Sequence, residues 1–354
     1  MVCAHPLSRL ERVADGWLLM RVGERIGYRV DTLTAAVLVR AASPITKDAL
    51  VAALGEYGRE RIWRTVDLLV TADFLAPVAQ AKNRALRDEL REWEFAGWEA
   101  AAQYHFQTFG YEFETYNQDG SSHEDAKRML DYAAEQPDTD RAKSYEGVAL
   151  ETRTLPRPGP DLAPEPVVGG VSPRPLSADC LAELLSLLAC PTQEKGLPWP
   201  GAKPVLRKTS PSGGSRHPTE MYLRVIGVGG LTNGWWHIAA REHRLERITS
   251  LVDPLSGLDA LLPGQTPARP QALVLYTCVF ARNRYRYREP RTFRTVHMDV
   301  GHLMGTCEFL ATSRGLTTTP VTRLNTWAFA TALTLDPLVE CPIAATILHD
   351  GADT

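Results

Sequence analysis

The feature that most constrains this chain is a polar loop that leads directly into a mostly apolar segment. Pro211 fixes one backbone dihedral, while Gly213 and Gly214 allow the backbone to lie against a flat or anionic group. Residues 221–228 have the pattern of a buried strand. A polar loop on a rigid strand is a common way to hold a ligand, and a simple tight turn is the alternative. The loop therefore predicts a binding site within residues 207–217.

The composition excludes several classes of protein. The chain has 354 residues, enough for two or three domains, and its hydrophobic content of 44% and charged content of 23% are ordinary for a soluble globular protein. A net charge of −3 argues against a general nucleic-acid binder. No apolar run approaches the roughly 20 residues that span a bilayer, and the N-terminus lacks the apolar core of a signal peptide. We therefore expect a cytoplasmic protein that binds neither nucleic acid nor membrane.

The cysteines and histidines lack the spacing of a metal site. Six cysteines are scattered without a CxxC pair, and nine histidines show neither HxxxH nor HExxH spacing. Cys278 and Cys307 lie in apolar surroundings, where a free cysteine behaves as a small hydrophobic residue. The pattern predicts no disulfide and no metal ion.

Residues 1–78 have the pattern of a small domain. Alternating apolar residues on both sides of Gly23 and Glu24 predict a β-hairpin. Three amphipathic helices follow, the second capped by Thr46 and ended by Gly55, and Phe74 begins a short strand. This order is typical of a winged-helix-like module and is similar to the leader-peptide recognition domains of peptide-maturation enzymes. The similarity implies that the module takes the leader of a precursor peptide as an extra strand; a structural cap or a dimerisation arm is the alternative.

Residues 79–175 predict a helical connector followed by a proline-rich linker. Residues 81–105 have the spacing of one long amphipathic helix, in which Trp93 and Trp98 are packing residues. Residues 117–175 are poor in apolar residues and rich in proline, which is typical of a linker or of a loop on the surface. Residues 176–354 form the last predicted segment.

The central loop resembles part of a known family. The sequence PSGGSRHPTE, preceded by Arg207, resembles the flavin-binding segment of SagB-type dehydrogenases, which are nitroreductase-fold flavoenzymes that oxidise azoline rings in ribosomally made peptides. The resemblance extends best over residues 200–345. It implies an α+β, nitroreductase-like domain at 176–354 that binds FMN at a homodimer interface. Many nitroreductase-fold proteins grip the flavin phosphate with an arginine-serine motif, but here only Arg174 stands near that place.

A second stretch of the resemblance covers residues 281–315. The family has a Lys-Tyr pair there, then arginines around an aromatic residue and a helix with Gly-His; the counterparts here are Arg286-Tyr287, Arg291, Phe293, Arg294 and Gly301-His302. A desolvated lysine can lose its proton and act as a base, whereas a guanidinium stays protonated. The family's catalytic role therefore rests on Tyr287, with Arg286 assisting its ionisation or stabilising an oxyanion. The alternative is that these arginines bind only phosphate or solvent.

These two stretches supply the candidate site. Tyr287 and Arg286 are the predicted catalytic residues, and Arg216 and His217 are expected to face the substrate or a partner subunit. Flavin binding is assigned to residues whose backbone, hydroxyl or guanidinium groups suit the ring, the ribityl chain and the phosphate. They are Arg207, Pro211, Ser212, Gly213, Gly214, Ser215, Arg291 and Arg294.

The predicted function is an FMN-dependent dehydrogenation of a ribosomally synthesised precursor peptide. The two-electron oxidation would convert an azoline to an azole or form a Cα–Cβ double bond in a residue. The exchange of lysine for Arg286 leaves two alternatives open. One is a flavin-dependent reductase of dehydroamino acids or small molecules, and the other is a catalytically degenerate scaffold in a complex with other peptide-modifying enzymes.

Overall fold

The computed structural model describes the chain except residues 22–26, 79, 110–120, 165–175, 199–200, 251–256, 268 and 351–354. Contacts divide it into two compact units, Met1–Glu114 and Thr115–Thr354. Both units contain helices and strands, so the predicted α+β class is confirmed. The division into three segments at residues 78 and 175 stays a prediction.

The first unit begins with strands and continues with helices. Strands β2, β3 and β4 form an antiparallel sheet in that order, and β1 pairs with β5. The elements are β1 (Val2–Ala4), β2 (Ser8–Val13), β3 (Gly16–Arg21), β4 (Gly27–Val30), α1 (Thr32–Arg40), α2 (Lys47–Ala53), α3 (Arg59–Thr71) and β5 (Leu75–Pro77). The three predicted helices and the closing strand are confirmed. The predicted hairpin turn at Gly23 and Glu24 lies outside the described residues, and the winged-helix assignment stays a prediction.

Local capping and a shared core explain these helices. Thr46 Oγ1 accepts a hydrogen bond from the Ala49 amide at 3.1 Å, which confirms the predicted cap of α2. At the start of α1, Asp31 Oδ1 accepts one from the Thr34 amide at 2.8 Å. The helices bury one face each in a core that lies entirely within residues 2–75 and includes Leu19, Leu33, Val37, Leu50, Ile62 and Val66.

The single long helix predicted over residues 81–105 is wrong. The structure has two helices, α4 (Ala81–Phe95) and α5 (Glu99–Phe109). The break is at Gly97, whose φ of +75° is in the left-handed region that ends helices. The turn brings the Trp93 ring to 5.7 Å from Trp98 and stacks it on His105 at 5.4 Å, so aromatic packing holds the two helices together.

The second unit is built on one seven-stranded antiparallel sheet. The strand order is β13-β14-β12-β9-β10-β11-β6. The elements are α6 (Ser121–Glu135), β6 (Glu151–Thr154), α7 (Ala178–Ala189), β7 (Gln193–Lys195), β8 (Val205–Arg207), β9 (Thr219–Val225), β10 (Gly234–Ala239), β11 (Arg244–Ser250), α8 (Leu258–Leu261), β12 (Ala272–Val279), α9 (Phe280–Arg286), α10 (Thr292–Thr312), β13 (Leu316–Val321), α11 (Thr326–Leu333) and β14 (Glu340–Asp350). Strand β12 pairs with β9 and β14, as expected of the central strand predicted at residues 271–280.

Helices cover both faces of this sheet. Side chains of α7 and α10 pack on one face against Leu223, Val274 and their neighbours. Side chains of α8 and α11 pack on the other face against Tyr222, Leu273 and theirs. Strand β6 comes from the segment predicted to be a linker, and its residues pair with β11 to form one edge of the sheet. The segment before it, residues 138–146, contributes the buried side chains Asp138 and Arg141.

A buried ionic layer lies on β9, β10 and β11. His237 is fully buried, with Nε2 3.1 Å from a Glu220 carboxylate oxygen and Nδ1 3.5 Å from a Glu246 carboxylate oxygen. Arg282 forms an ion pair with Glu220. Burial opposes the imidazolium, but hydrogen bonds to the two carboxylates outweigh it and raise the pKa of His237. Burial likewise opposes both carboxylates, but their partners lower the pKa of Glu220 and of Glu246 to about 2.

The layer predicts a stability loss in acid. Both carboxylates have a lowered pKa in the folded protein. Their contribution to the free energy of unfolding is therefore fully present above pH 4.5, the ordinary pKa of glutamate, and is lost as pH falls towards about 2. We expect Glu246→Gln to lower the free energy of unfolding at pH 7 by about 3 kcal/mol, because a buried charge loses its partner. The variant should also flatten the acid limb, measured by urea unfolding from pH 2 to 7. Glu56→Gln, at an exposed glutamate, is the control; equal stability of Glu246→Gln and wild type would contradict the prediction.

Candidate functional site

The central loop is fastened to the middle of α10 by one carboxylate. Ser212 Oγ donates a hydrogen bond to Asp299 Oδ2 at 2.7 Å, and the Gly213 amide donates one to Asp299 Oδ1 at 3.1 Å. Ser212 Oγ also accepts a hydrogen bond from the His217 amide at 2.9 Å, which closes the loop on itself. Asp299 is buried, and that burial raises its pKa against the opposing effect of the two hydrogen bonds. The loop is therefore held by contacts within the second unit.

The two stretches singled out in the sequence meet at Gly214. This glycine has a φ of +60°, and a Cβ atom placed on it would lie 1.9 Å from the Tyr287 hydroxyl oxygen. At the neighbouring Gly213, a Cβ would lie 2.4 Å from Cγ2 of Thr295 on α10. Both glycines are therefore required by close approach, and Gly214 also by its backbone conformation. The structure thus brings Tyr287 directly against the predicted flavin-binding loop.

Arg286 has an acidic partner that the sequence did not indicate. Its Nη2 lies 2.6 Å from Oδ1 of Asp125 on α6, and its guanidinium carbon lies 5.3 Å from the centre of the Tyr287 ring. A second ion pair joins Arg288 to Glu135 of the same helix at 2.5 Å. Helix α6 is thereby attached to the end of α9, next to Tyr287. Because guanidinium and carboxylate neutralise each other, Arg286 presents less net charge to Tyr287 than its sequence position suggests.

The two residues predicted to face the substrate are both buried in the chain. Arg216 is 3% exposed, and it contacts Asp138 Oδ1 at 2.8 Å and donates to the Arg282 carbonyl at 2.6 Å. The His217 ring nitrogen Nε2 lies 2.7 Å from the Leu206 carbonyl, to which the neutral ring donates. Burial lowers the pKa of His217 to about 3, so the ring is uncharged. A substrate-binding role for this pair stays a prediction; the contacts found here fix the end of the loop.

The other predicted cofactor residues lie in the loop, at the end of β8 and at the start of α10. Arg207 ends β8 with an exposed residue surface, while its carbonyl accepts a hydrogen bond from the Thr192 amide at 2.7 Å. Arg291 immediately precedes α10, and Arg294 lies in its first turn. Pro211 is exposed, and Ser215 has a φ of +52° and donates its amide to the Ser212 carbonyl at 3.0 Å. The positions are compatible with their predicted roles, which stay predictions.

A narrow polar cleft opens on the inner side of the loop. Its volume is about 10 Å³, room for roughly one water molecule, so it cannot accept a flavin ring. It is lined by Lys208, Ser210, Pro211, Ser212, His217, Pro218, Thr219, Met221, Asp299 and Leu303. Lys208 and Asp299 were missed in the sequence. A signal existed for Asp299, because it lies next to Val300 on the apolar stripe of a predicted helix.

The outer surface of the loop differs from the cleft in the groups that it offers to a ligand. The Ser212 hydroxyl and the Gly213 amide already donate to Asp299, so they do not serve as outward donors. Pro211 and Gly214 are exposed and offer a flat surface, and Arg207 places a cation close by in sequence. This surface, rather than the inner cleft, is where the residues present suit a planar, phosphate-bearing group.

An apolar cavity lies next to the start of the central loop, at Thr209. It has a volume of about 500 Å³, within the usual range for ligand pockets, and it is lined by Pro158, Gly159, Pro160, Ala163, Pro164, Leu187, Thr192, Thr209, Thr306, Phe309 and Leu310. Ser210, which lines the polar cleft, donates its hydroxyl at 2.9 Å to Oγ1 of Thr306, which lines this cavity.

Comparison with known proteins finds relatives of part of the chain. No protein-family model matches. The chain is 33% identical over 183 residues, 50% of its length, to the trifolitoxin-processing protein TfxB of Rhizobium leguminosarum bv. trifolii, and this covers 48% of that protein. It is 33% identical over 116 residues, 32% of its length, to "Putative nitroreductase MJ1384" of Methanocaldococcus jannaschii, covering 57% of it. The chain therefore spans about half the length of these curated relatives.

Solved structures give a weaker similarity. A putative nitroreductase of Anabaena variabilis matches 66% of this chain and 46% of its own with a TM-score of 0.49 and 23% identity. The Escherichia coli microcin synthetase McbBCD complex with truncated pro-MccB17 bound matches 66% of this chain and 92% of its own with a TM-score of 0.42 and 19% identity. TM-scores of this size do not establish a shared fold.

The described part of the chain contains neither a cluster suited to a metal ion nor a helix suited to span a membrane. Within it, no group of three or more histidine, cysteine, aspartate or glutamate residues is placed to hold a metal ion. None of its helices combines the length and the hydrophobicity that crossing a membrane requires.

The contact between Gly214 and Tyr287 can be tested by mutation. We expect Gly214→Ala to lower the free energy of unfolding by about 3 kcal/mol, from backbone strain at positive φ and from overlap with the tyrosine hydroxyl. Tyr287→Phe in the same chain should recover about 1 kcal/mol of this loss, because it removes the nearest atom. Gly196→Ala is the control, since nothing lies within 4 Å of its Cβ position and its φ is not in the left-handed region. A Gly214→Ala protein as stable as wild type in denaturant unfolding would contradict the packing.

Proposed function

We propose that this chain is an FMN-dependent dehydrogenase of the SagB type, with a nitroreductase-like second unit, that oxidises a ribosomally synthesised precursor peptide. Support comes from 33% identity to a trifolitoxin-processing protein over half of the chain, and from 33% identity to a nitroreductase-named protein over a third of it. The matches cover 48% and 57% of these two relatives, so the reaction and the peptide substrate are part of the proposal.

The observation that carries the proposal is the position of Tyr287 against the glycine loop. A Cβ atom at Gly214 would overlap the Tyr287 hydroxyl, so the tyrosine lies beside the surface assigned to the flavin. Arg207, Arg291 and Arg294 are the residues we propose for the phosphate, because arginine binds phosphate in a bidentate manner. When bound, FMN would supply the two-electron acceptor. Tyr287 would orient the peptide and hold or transfer a proton at its hydroxyl oxygen.

The outer face of α10 supports the proposed homodimer. Met298 and Phe309, which lie on one side of the helix, are 61% and 64% exposed, a large apolar surface for one helix. Gly301 and Gly305 lie on the same exposed side, with nothing within 4 Å of their Cβ positions. A second copy packed here would bury these side chains and lie beside the loop fastened to Asp299. We propose this face as the dimer contact.

A second candidate function is favoured by one feature of the loop. The Ser212 hydroxyl and the Gly213 amide are engaged inside the chain, and Arg286 pairs with Asp125. A chain that kept the loop for its structural value alone would show the same contacts. The alternative is therefore a catalytically degenerate scaffold in a peptide-modifying complex.

The cofactor and the direction of electron flow decide between these functions. The purified full-length protein should be yellow and release about one FMN per chain, identified by absorption and mass. With its precursor peptide it should remove two hydrogens, whereas Tyr287→Phe should keep the flavin and lose about 10²-fold or more in rate. Addition of two hydrogens would identify the reductase alternative. A colourless protein that FMN cannot reconstitute would indicate the scaffold, and full activity of Tyr287→Phe would remove the tyrosine from the mechanism.

Residues 1–78, which lie within the first unit, are the proposed binding module for the leader of the precursor. Its sheet β2-β3-β4 has two edges at which an extended peptide could add as a strand, and its core lies within residues 2–75. Deletion of residues 1–78 should weaken binding of the full precursor at least about tenfold while sparing the flavin, measured by fluorescence anisotropy. A precursor lacking its leader is the control and should bind both proteins alike. Unchanged affinity for the full precursor would make the module structural.

A further inference from the structure

Two cysteines whose sequence spacing predicted no disulfide face each other across two neighbouring strands. Cys278 lies near the end of β12 and Cys341 near the start of β14, and the antiparallel register pairs the two residues directly. Both are free thiols in the structure. Directly paired residues of antiparallel strands have Cα atoms about 4.5 to 5.5 Å apart, and a disulfide needs about 4.4 to 6.8 Å. The backbone therefore has the spacing that a disulfide requires.

The two thiols also lie on the same face of the sheet. Thr277 and Glu340, which directly precede the two cysteines, are joined by a hydrogen bond of 2.7 Å on the face that contains Tyr222. Successive side chains of a strand point to opposite faces. Cys278 and Cys341 therefore both lie on the other face, which α7 and α10 cover.

The exposure of the two thiols determines the order in which they react. Cys341 is partly exposed, whereas Cys278 is fully buried beside Thr219 of β9. Burial raises the pKa of both thiols. At Cys278, the hydrogen bond to Thr219 and the charge of Arg282 oppose this effect, and Asp299 on α10 adds to it. Because few thiolates form at neutral pH, the pair should oxidise slowly, beginning at the sulfur of Cys341 that solvent reaches.

We propose that Cys278 and Cys341 form a reversible disulfide site whose oxidant is a low-molecular-weight disulfide. The Cys341 thiolate attacks one sulfur of the oxidant, which forms a mixed disulfide and releases one thiol. The Cys278 thiolate then attacks the Cys341 sulfur and releases the second thiol. Two protein thiols are thereby oxidised to one disulfide, the oxidant is reduced to two thiols, and the two protons pass from the protein to the released thiolates. The inference is independent of the proposed function.

The bond would join β14 to the part of β12 that contacts the central loop. Cys278 pairs with Thr219, which follows the loop, and the Val279 amide donates to the Pro218 carbonyl at 2.8 Å. Helix α9 begins at the next residue, Phe280. A covalent link here would restrict both the end of the loop and the start of α9. It would also shorten the unfolded chain between the two strands, so the oxidised protein should resist unfolding more than the reduced protein.

The pair can be tested on the full-length protein without any cofactor. The native protein is equilibrated with mixtures of oxidised and reduced glutathione at mildly alkaline pH. Remaining thiols are then alkylated in denaturant, and the digest is analysed by mass spectrometry. The expected product is a crosslink between the peptides that contain Cys278 and Cys341, in a protein that is two hydrogens lighter. Dithiothreitol should restore both thiols, and the crosslinked form should unfold at a higher urea concentration than the reduced form.

Two results of this experiment would overturn the inference. One is a Cys278 that is always recovered alkylated, with Cys341 either alkylated or linked only to glutathione. The other is a crosslink that forms in unfolded protein but not in native protein, because the native sheet would then not bring the thiols together.

Serine variants identify the two sulfurs. Cys341→Ser should lose the crosslink and leave Cys278 reduced in every mixture, since the buried thiol then has neither a partner nor access to the oxidant. Cys278→Ser should stop the reaction at the mixed disulfide on Cys341. Cys180→Ser, at the other partly exposed cysteine, is the control and should form the crosslink as wild type does. A crosslink that persists in Cys341→Ser would belong to another pair and would overturn the assignment.

Discussion

The candidate site depends on the hydrogen bonds that Asp299 accepts from the loop. One carboxylate in the middle of a long helix holds both the hydroxyl of Ser212 and the amide of Gly213. Ser212 in turn receives the His217 amide, so the loop between β8 and β9 is fixed at its start and at its end. Without this attachment, the left-handed conformation of Gly214 and its approach to Tyr287 would have no support. Stability of the loop and position of the tyrosine therefore have one common cause.

The buried charged groups of the second unit differ in whether they have a partner of opposite charge. On β9 to β11, Glu220, His237 and Glu246 are matched group for group, and this lowers the pKa of the carboxylates and raises that of the imidazole. These ion pairs serve the structure of the sheet, because the paired groups have no charge left to neutralise a ligand. Lys208 lies at the edge of the same charged region and has no such partner among the described residues.

Most elements could be predicted from local pattern, because their signals are local. The apolar run of β12, the cap at Thr46 and the periodicity of α10 each depend on a few neighbouring residues. The turn at Gly97 was missed because apolar spacing continues across it and only the glycine conformation interrupts the helix. Strand β6 was missed because its four residues are defined by pairing with β11, about ninety residues later.

The part of the site that depends on short sequence motifs could be predicted, and the part that depends on distant contacts could not. The glycine loop and the Arg286-Tyr287 pair have distinctive residues, and the structure brings them together at Gly214. The partners of the charged residues could not be predicted, because Asp125 and Asp138 come from segments far away in the sequence. Arg216 looked like a ligand-binding residue since its neighbours are polar, whereas tertiary contact with Asp138 buries it.

The loop's internal bonds also determine what a ligand can meet. With Ser212 and Gly213 donating inwards, the outer face offers exposed backbone at Gly214 and the ring of Pro211, so a planar group would be held mainly by contact. The inner cleft is too small for such a group, and both polar residues, such as Lys208, and apolar residues, such as Leu303, line it. A group on the outer face would stay out of the cleft, and the Lys208 amine would keep the partly desolvated surroundings that lower its pKa.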